Sequence, residues 1–532
     1  MDQAHIIGQK LMLAFDGMDA PPEAILRALR EHRACGITLF RTRNIDHPAQ
    51  VRRLTAQLQA AAQSMGLPPL LIAADQEGGQ LMAVGQATQL PGNMALGAAG
   101  SAELAYRAGV VLGRELAAMG INVNYAPSVD VNVNPRNPVV GIRSFGEDPA
   151  AAASLGAALV AGVQSQHVAA TAKHFPGHGD VTGDSHYGLP AVAHDLERLR
   201  QVELPPFRAS IDAGVKLVMT AHVALPALDG ETAPPATLSA RVMTGLLRGE
   251  LGFDGVIITD AMDMLAIRQG DLLGEDALRA VQAGADLLLL TASAKDHSRV
   301  HRALTRAAQD RILSAEALAA SEARIAALKG WLAAAPPQPD LSVVGCAQHQ
   351  QVADEIAQAS ITLVRDQHRV LPLRLRPEQR LVVMLPQPLN LTPADTSAFV
   401  HPALADALRA YHPRVEELLV PFAPHDADTH DVLSRLEPGD FVIAGTLNAY
   451  TEPGQAALVR ALLATGVPTL VAAMRLPYDL AAFPEAPAYV CTYSILEPSM
   501  RALARALFQP GELRGKLPVA IPGLYPAGFG MQ

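Results

Sequence analysis

The chain has 532 residues, 49% of them apolar and 18% charged, with 42 basic and 52 acidic side chains and a net charge of -10. This is the composition of a folded protein, not a disordered one, and its acidic balance, 4% aromatic content and lack of any Lys/Arg run argue against nucleic acid or an anionic membrane surface as partner. The length predicts two domains, the first of barrel size. Cys35, Cys346 and Cys491 are far apart and form no CxxC, so neither a disulfide framework nor a thiolate zinc site is expected. The start, MDQAHIIGQKLMLAFDG, lacks a basic segment followed by a long apolar one. Apolar runs such as ADLLLLTA fall short of the ~20 residues a bilayer demands. A cytoplasmic location is therefore expected.

In chain order, the β-rich runs are KLMLAF (10–15), GITLF (36–40), LLIAAD (70–75), INVNYAP (121–127), VAATAKH (168–174), KLVMTAH (216–222), GVIITDA (255–261) and ADLLLLT (285–291). Ala/Leu-rich helical stretches such as 103–120 and 275–285 lie between them. Continuously apolar strands alternating with helices mean a parallel sheet covered on both faces, and eight of them predict a (β/α)8 TIM-like barrel. A helix over 314–335 precedes a Pro-rich break, PPQPDLS. The runs 380–387, 440–448, 468–475 and 488–494 then predict a smaller α/β sandwich. The expected organisation is a catalytic barrel over 1–335, a linker over 336–345 and a second domain over 346–532. The second domain has no GxGxxG after its strands and no GxxxxGK[ST], so nothing points to a nucleotide.

Asp75, Lys173, His174, His222 and Asp260 fall at the ends of predicted strands, and strand ends converge on the rim that carries chemistry in such barrels. The stretch AKHFPGHGDVTGDSHYGLP (172–190) adds a polar, Gly-rich loop. A metal site is one reading: His174 and His178 are four apart, but Pro176, Gly177 and Gly179 break any helix there. A phosphate loop is another, but Lys173 precedes the glycines instead of following them. The third is an active-site loop, in which the Asp184 carboxylate orients the His186 imidazole for proton transfer. Its bland counterpart is an Asx-turn beside a surface histidine. Asp260 ends an apolar strand, where a carboxylate must be paired or used. Asp263 could instead cap a following helix.

Several segments together resemble the family 3 glycoside hydrolases and, within them, the β-N-acetylglucosaminidases. They are ADQEGG (74–79), PGNMALGA (91–98), YAPSVDVNVNP and IRSFGEDP (125–149), KHFPGHGDVTGDSHYGLP (173–190), MTAHVALPALD and PATLS (219–239), and GFDGVIITDAMDM (252–264). The resemblance implies a retaining exo-glycosidase acting on terminal N-acetylglucosamine without metal or cofactor, as a monomer or weak homo-oligomer. It implies Asp260 as nucleophile, Asp184 and His186 as the acid/base dyad, and Asp75, Arg143, Lys173 and His174 as grips on the sugar, with His222 on the same rim in a supporting role among the substrate-binding residues. ITLVRD (361–366) and LPYDLAAF (476–483) resemble the sandwich domain of two-domain members. Muropeptide turnover in the cytoplasm, or chitooligosaccharide breakdown, would be the role. The same fold also hosts β-glucosidases, β-xylosidases and non-catalytic sugar binders. One departure stands out: family members often carry an arginine shortly after Glu-Gly-Gly, where this chain reads Gln80-Leu81-Met82-Ala83.

Overall fold

The computed structural model describes residues 3–509 and 511–531. All eight expected strands form: β1 (Leu11–Leu13), β2 (Gly36–Leu39), β3 (Leu71–Ala74), β4 (Val123–Asn124), β5 (Ala169–Phe175), β6 (Leu217–Thr220), β7 (Val256–Thr259) and β8 (Leu288–Leu290). They pair in parallel in chain order, β8 pairs with β1, and a bridge between Ile258 and Leu287 joins β7 to the approach of β8, closing the barrel. Period-two geometry explains the runs of apolar residue on every strand. Met12, Ala73, Val123, Ala169, Met219 and Ile258 fill the interior, while their neighbours Leu13, Ile72, Ala170, Val218 and Ile257 pack outward in the larger core.

The helices come close to their predicted bounds: Ala102–Ala118, Leu273–Ala283 and Ala315–Ala333, the first and last capped by Ser101 and Ser314. The last crosses the barrel floor, where Ser321 accepts from Lys10 Nζ at 2.7 Å and Lys329 Nζ donates to the Cys35 carbonyl at 3.2 Å. β4 is much shorter than 121–127. Asn122 and Asn124 side chains take the backbone amides of Ile72 and Gln76 at 2.7 and 3.1 Å. Pro127 then has no N–H to offer a ladder.

Beyond Pro336, the chain runs without regular structure to a short turn at Leu341–Val343 and a helix at Ala347–Ser360. A second sheet follows: β9 (Thr362–Asp366), β10 (Leu381–Pro386), β11 (Val415–Val420), β12 (Phe441–Thr446), β13 (Thr469–Ala473) and β14 (Ala488–Cys491). Its order is β9-β14-β13-β12-β10-β11, with only β9 antiparallel. β11 was not expected from VEELLV, because it is an edge strand whose Glu416 and Glu417 keep partial contact with solvent. The C-terminal tail returns to the barrel. Lys516 N donates to the Ala98 carbonyl, and Pro518 passes so close to Gly146 (φ +144°) that a Cβ there would lie 2.4 Å from the Pro518 oxygen. Among the described residues no helix is long and apolar enough to cross a membrane.

Candidate active site

A cavity of about 550 Å³ opens at the C-terminal ends of the barrel strands. Asp75, Arg143, Lys173, His174, His186 and Asp260 all line it.

The polar floor is a charge quartet. Lys173 Nζ, at the end of β5, lies 2.6 Å from Asp75 Oδ1 and 2.7 Å from Glu77 Oε1. Arg143 grips Glu77 with two parallel bonds, Nη2 to Oε1 at 2.7 Å and Nε to Oε2 at 3.0 Å. Two cations and two carboxylates balance, which is what lets them be buried together. Burial alone would push the Glu77 carboxyl up, but Arg143 and Lys173 outweigh it and hold it down at about 2. Both Glu77 oxygens are thus occupied. The Asp75 side chain is 24% exposed against 2–3% for its partners, so Asp75 is the acid that faces the cavity.

His174, next along β5, is oriented from behind. Its Nδ1 lies 2.7 Å from Asp130 Oδ2, and Asp130 also accepts the backbone amide of His178 at 2.7 Å. Burial disfavours the Asp130 anion, but the His174 and His178 contacts reverse this and pull its carboxyl well below the usual range. His174 Nε2 therefore points toward Arg143 Nη2, 3.4 Å away. Glu77 and Asp130 were missed by the sequence reading. Each sits in a quoted segment, ADQEGG and PSVDVN, but nothing local distinguishes a buried counter-ion from a loop acid.

Asp260 follows β7 directly, and its Oδ1 accepts the Ala261 amide at 2.7 Å. Burial would raise its pKa. The imidazoles of His174, His222 and His186 and that amide prevail, and the carboxyl is held at about 2. His222 supports the site from behind, but the structure does not place it among the residues that face the cavity. It is fully buried, and its Nδ1 lies 2.8 Å from Thr237 Oγ1 and its Nε2 3.1 Å from the Ala261 carbonyl. It braces the backbone beside Asp260 instead of meeting a ligand. Asp263 is not a helix cap either: residues 261–269 are irregular, and Asp263 lines the cavity.

The loop carrying the dyad is tied at several points. Asp184 Oδ1 meets His186 Nδ1 at 2.6 Å and the His186 amide at 2.9 Å. Burial opposes the Asp184 anion, but these bonds from His186 keep its carboxyl below the ordinary value. Ser185 Oγ lies 3.0 Å from His178 Nε2, and Asp180 pairs with His194 Nε2 at 2.6 Å. The His186 carbonyl accepts from the Leu265 amide at 3.4 Å. The imidazole thus shares the cavity with Asp260, with its Nε2 free of protein partners among the described residues.

The second domain reaches this cavity. Asn390, Thr392, Asp395, Thr396 and Phe399 line it. Where the chain lacks an arginine after Glu-Gly-Gly, Arg475 of the second domain arrives. Its Nη2 donates to Gln80 Oε1 at 2.6 Å, and its Nη1 donates to Asp395 Oδ2 at 3.0 Å.

Residues 7–328 match the glycosyl hydrolase family 3 N-terminal domain. The chain is 33% identical to "Beta-hexosaminidase A" of Pseudoalteromonas piscicida, covering 97% of both sequences. It is 35% identical to "Beta-N-acetylglucosaminidase/beta-glucosidase" of Cellulomonas fimi over 63% of this chain and 62% of that one. The solved family 3 β-N-acetylglucosaminidase of Paenibacillus sp. str. FPU-7 superposes with a TM-score of 0.90 at 39% identity, covering 97% of this chain and 98% of that one. The eight-stranded parallel barrel with its polar C-terminal rim and these matches define a glycoside hydrolase. The protein belongs to glycoside hydrolase family 3.

Proposed function

We propose that the protein is a retaining exo-β-N-acetylglucosaminidase that works by double displacement through a covalent glycosyl-Asp260 intermediate. The observation that carries this reading is the convergence of Asp260 and the Asp184–His186 pair on one cavity. The names of the relatives, a hexosaminidase and β-N-acetylglucosaminidases, support the sugar.

In the first step an Asp260 oxygen attacks the anomeric carbon while protonated His186 gives its Nε2 proton to the leaving oxygen. In the second, neutral His186 takes a proton from the water that cleaves the glycosyl ester. Retaining glycosidases commonly place two carboxylates about 5–5.5 Å apart. An imidazole in place of the second avoids setting a further negative charge beside Asp260, and Asp184 stabilises the imidazolium that forms in each cycle. Asp260, held at about 2, is ionised throughout the neutral range and ready as nucleophile. Asp75, Lys173, Arg143 and His174 would grip the hydroxyls of the terminal sugar, with Glu77 and Asp130 fixing the grips.

The test is hydrolysis of nitrophenyl β-N-acetylglucosaminide and of the matching glucoside and xyloside, with and without EDTA. Cleavage of the first, indifferent to EDTA, is the expected result. Sugar binding without turnover would overturn the enzymatic reading. Cleavage of the glucoside instead would favour the second activity in the name of the Cellulomonas fimi relative, with Gln80–Ala83 as the altered segment. Turnover of peptidoglycan fragments inside the cell is the role we assign, with chitooligosaccharide breakdown as the alternative.

A further inference from the structure

Three side chains of the second domain rest on one barrel loop, the segment from Asn132 to Arg143. Leu476 and Tyr478 belong to LPYDLAAF, which follows β13, and Tyr450 comes from the turn after β12. The Arg136 guanidinium lies 5.5 Å from the centre of the Tyr450 ring. Leu476 packs on the backbone of Gly141, with its Cδ1 3.6 Å from where a Cβ would stand.

Tyr478 makes the directional contact. Asn132 Nδ2 donates to its hydroxyl at 3.0 Å, and the two residues are 1% and 2% exposed. Asn132 Oδ1 has no partner among the described residues, so this bond is what fixes the amide. Tyr478 is held in turn. Its ring lies 6.0 Å from that of Tyr450, and buried Asp479 beside it accepts from Thr446 Oγ1 at 2.6 Å and from the Tyr450 amide at 3.0 Å.

Asn132 stands between two groups that line the sugar site. Two residues before it, Asp130 orients His174. Its own backbone amide lies 3.2 Å from Ser144 Oγ, which donates to the Asp130 carbonyl at 2.6 Å and directly follows Arg143. Arg143 and the support of His174 are thus tied to one segment, and a hydroxyl of the second domain anchors it. A buried hydrogen bond holds direction well, because no water competes for its partners.

We propose that Tyr478 is a positioning residue for the sugar site: bonded to Asn132, it lets the second domain hold Arg143 and His174 where they grip the sugar. This rests on the glycosidase reading above and adds a task for a residue that touches no substrate. Asp260 and the Asp184–His186 pair lie outside the tied segment. Loss of the bond should therefore weaken sugar binding and spare the chemical step.

The experiment measures kcat and KM for nitrophenyl β-N-acetylglucosaminide, and affinity for N-acetylglucosamine by calorimetry. The proteins are wild type, Tyr478→Phe, Asn132→Ala and the double variant, with urea unfolding followed beside them. Tyr478→Phe keeps the ring and loses only the hydroxyl. It should raise KM and weaken sugar affinity by about fivefold to tenfold, with kcat within about twofold of wild type. Asn132→Ala should do the same, and the double variant should be no worse than either, because both remove one bond. A hydroxyl that serves stability alone would lower the urea midpoint and leave KM and affinity unchanged. That result, or losses that multiply in the double variant, overturns the assignment. If wild type cleaves the glycoside in that case, the glycosidase reading stands without the positioning role. If wild type binds N-acetylglucosamine but cleaves nothing, the glycosidase reading falls and the affinities alone decide the role of Tyr478. If it neither binds nor cleaves, both fall together.

Discussion

Arg475 Nη2 lies 2.6 Å from Gln80 Oε1, joining the end of β13 in the second domain to the hairpin that carries Glu77 in the first. Arg475 and Asp395 are 5% and 3% exposed, so each depends on the other for a counter-charge. Arg475→Met should strand the Asp395 carboxylate and cost about 3–5 kcal/mol in chemical denaturation. Adding Asp395→Leu should recover much of that loss, because no buried charge is then left alone. Gln80→Ala, which removes only a neutral acceptor, should cost far less.

The Asp184–His186 pair separates two effects. Asp260→Ala should abolish turnover of every substrate. His186→Ala should lower kcat by about 10²–10⁴-fold on a disaccharide. With a nitrophenyl glycoside the leaving oxygen needs little protonation, so the loss should be smaller. Equal losses on both substrates would remove His186 from the role of acid.

Glu77→Gln tests the quartet. Lys173 would keep Asp75 at 2.6 Å, Arg143 would keep no ion pair among the described residues, and stability should fall by about 3–5 kcal/mol. Because the Glu77 oxygens are both occupied within the protein, its effect on activity should track the loss of its two partners' positions, chiefly as a raised KM. Steady-state kinetics beside urea unfolding would show this.

His178 makes a pH-dependent contribution. Burial lowers its pKa from 6.5 to about 4, so the folded state resists a proton that the unfolded chain accepts. Stability attached to this group is therefore complete above pH 6.5 and is lost as pH falls toward 4. Between pH 7.5 and 4.5 it should amount to about 2–3 kcal/mol. His178→Asn should flatten that part of the profile in unfolding measured across the range. His301, also pushed down to about 4 by burial, acts in the same window and would leave a residual slope.

By itself, the sequence determined the barrel and the line of polar residues on its rim. Strands buried on both faces must be apolar throughout, so β1, β3, β6 and β7 were visible as uninterrupted runs. The polar residues that broke those runs, Asp75, Lys173, His174 and Asp260, marked strand ends. Dyad spacing was also local, since Asp184 and His186 are two residues apart. Tertiary structure alone decided which acids became counter-ions. Glu77 and Asp130 are ordinary surface-type acids in the sequence until Arg143, from a 3-10 turn, and Lys173 and His174, from β5, close on them from far away in the chain. It also withdrew His222 from the cavity, since only packing against Thr237 and Ala261 settles which way a rim imidazole turns. The domain contact was equally hidden. Arg475 and Tyr478 lie hundreds of residues from Gln80 and Asn132, and no periodicity links such partners. Local spacing can specify an element and what it exposes, but which charges meet across two domains is set by how their surfaces pack.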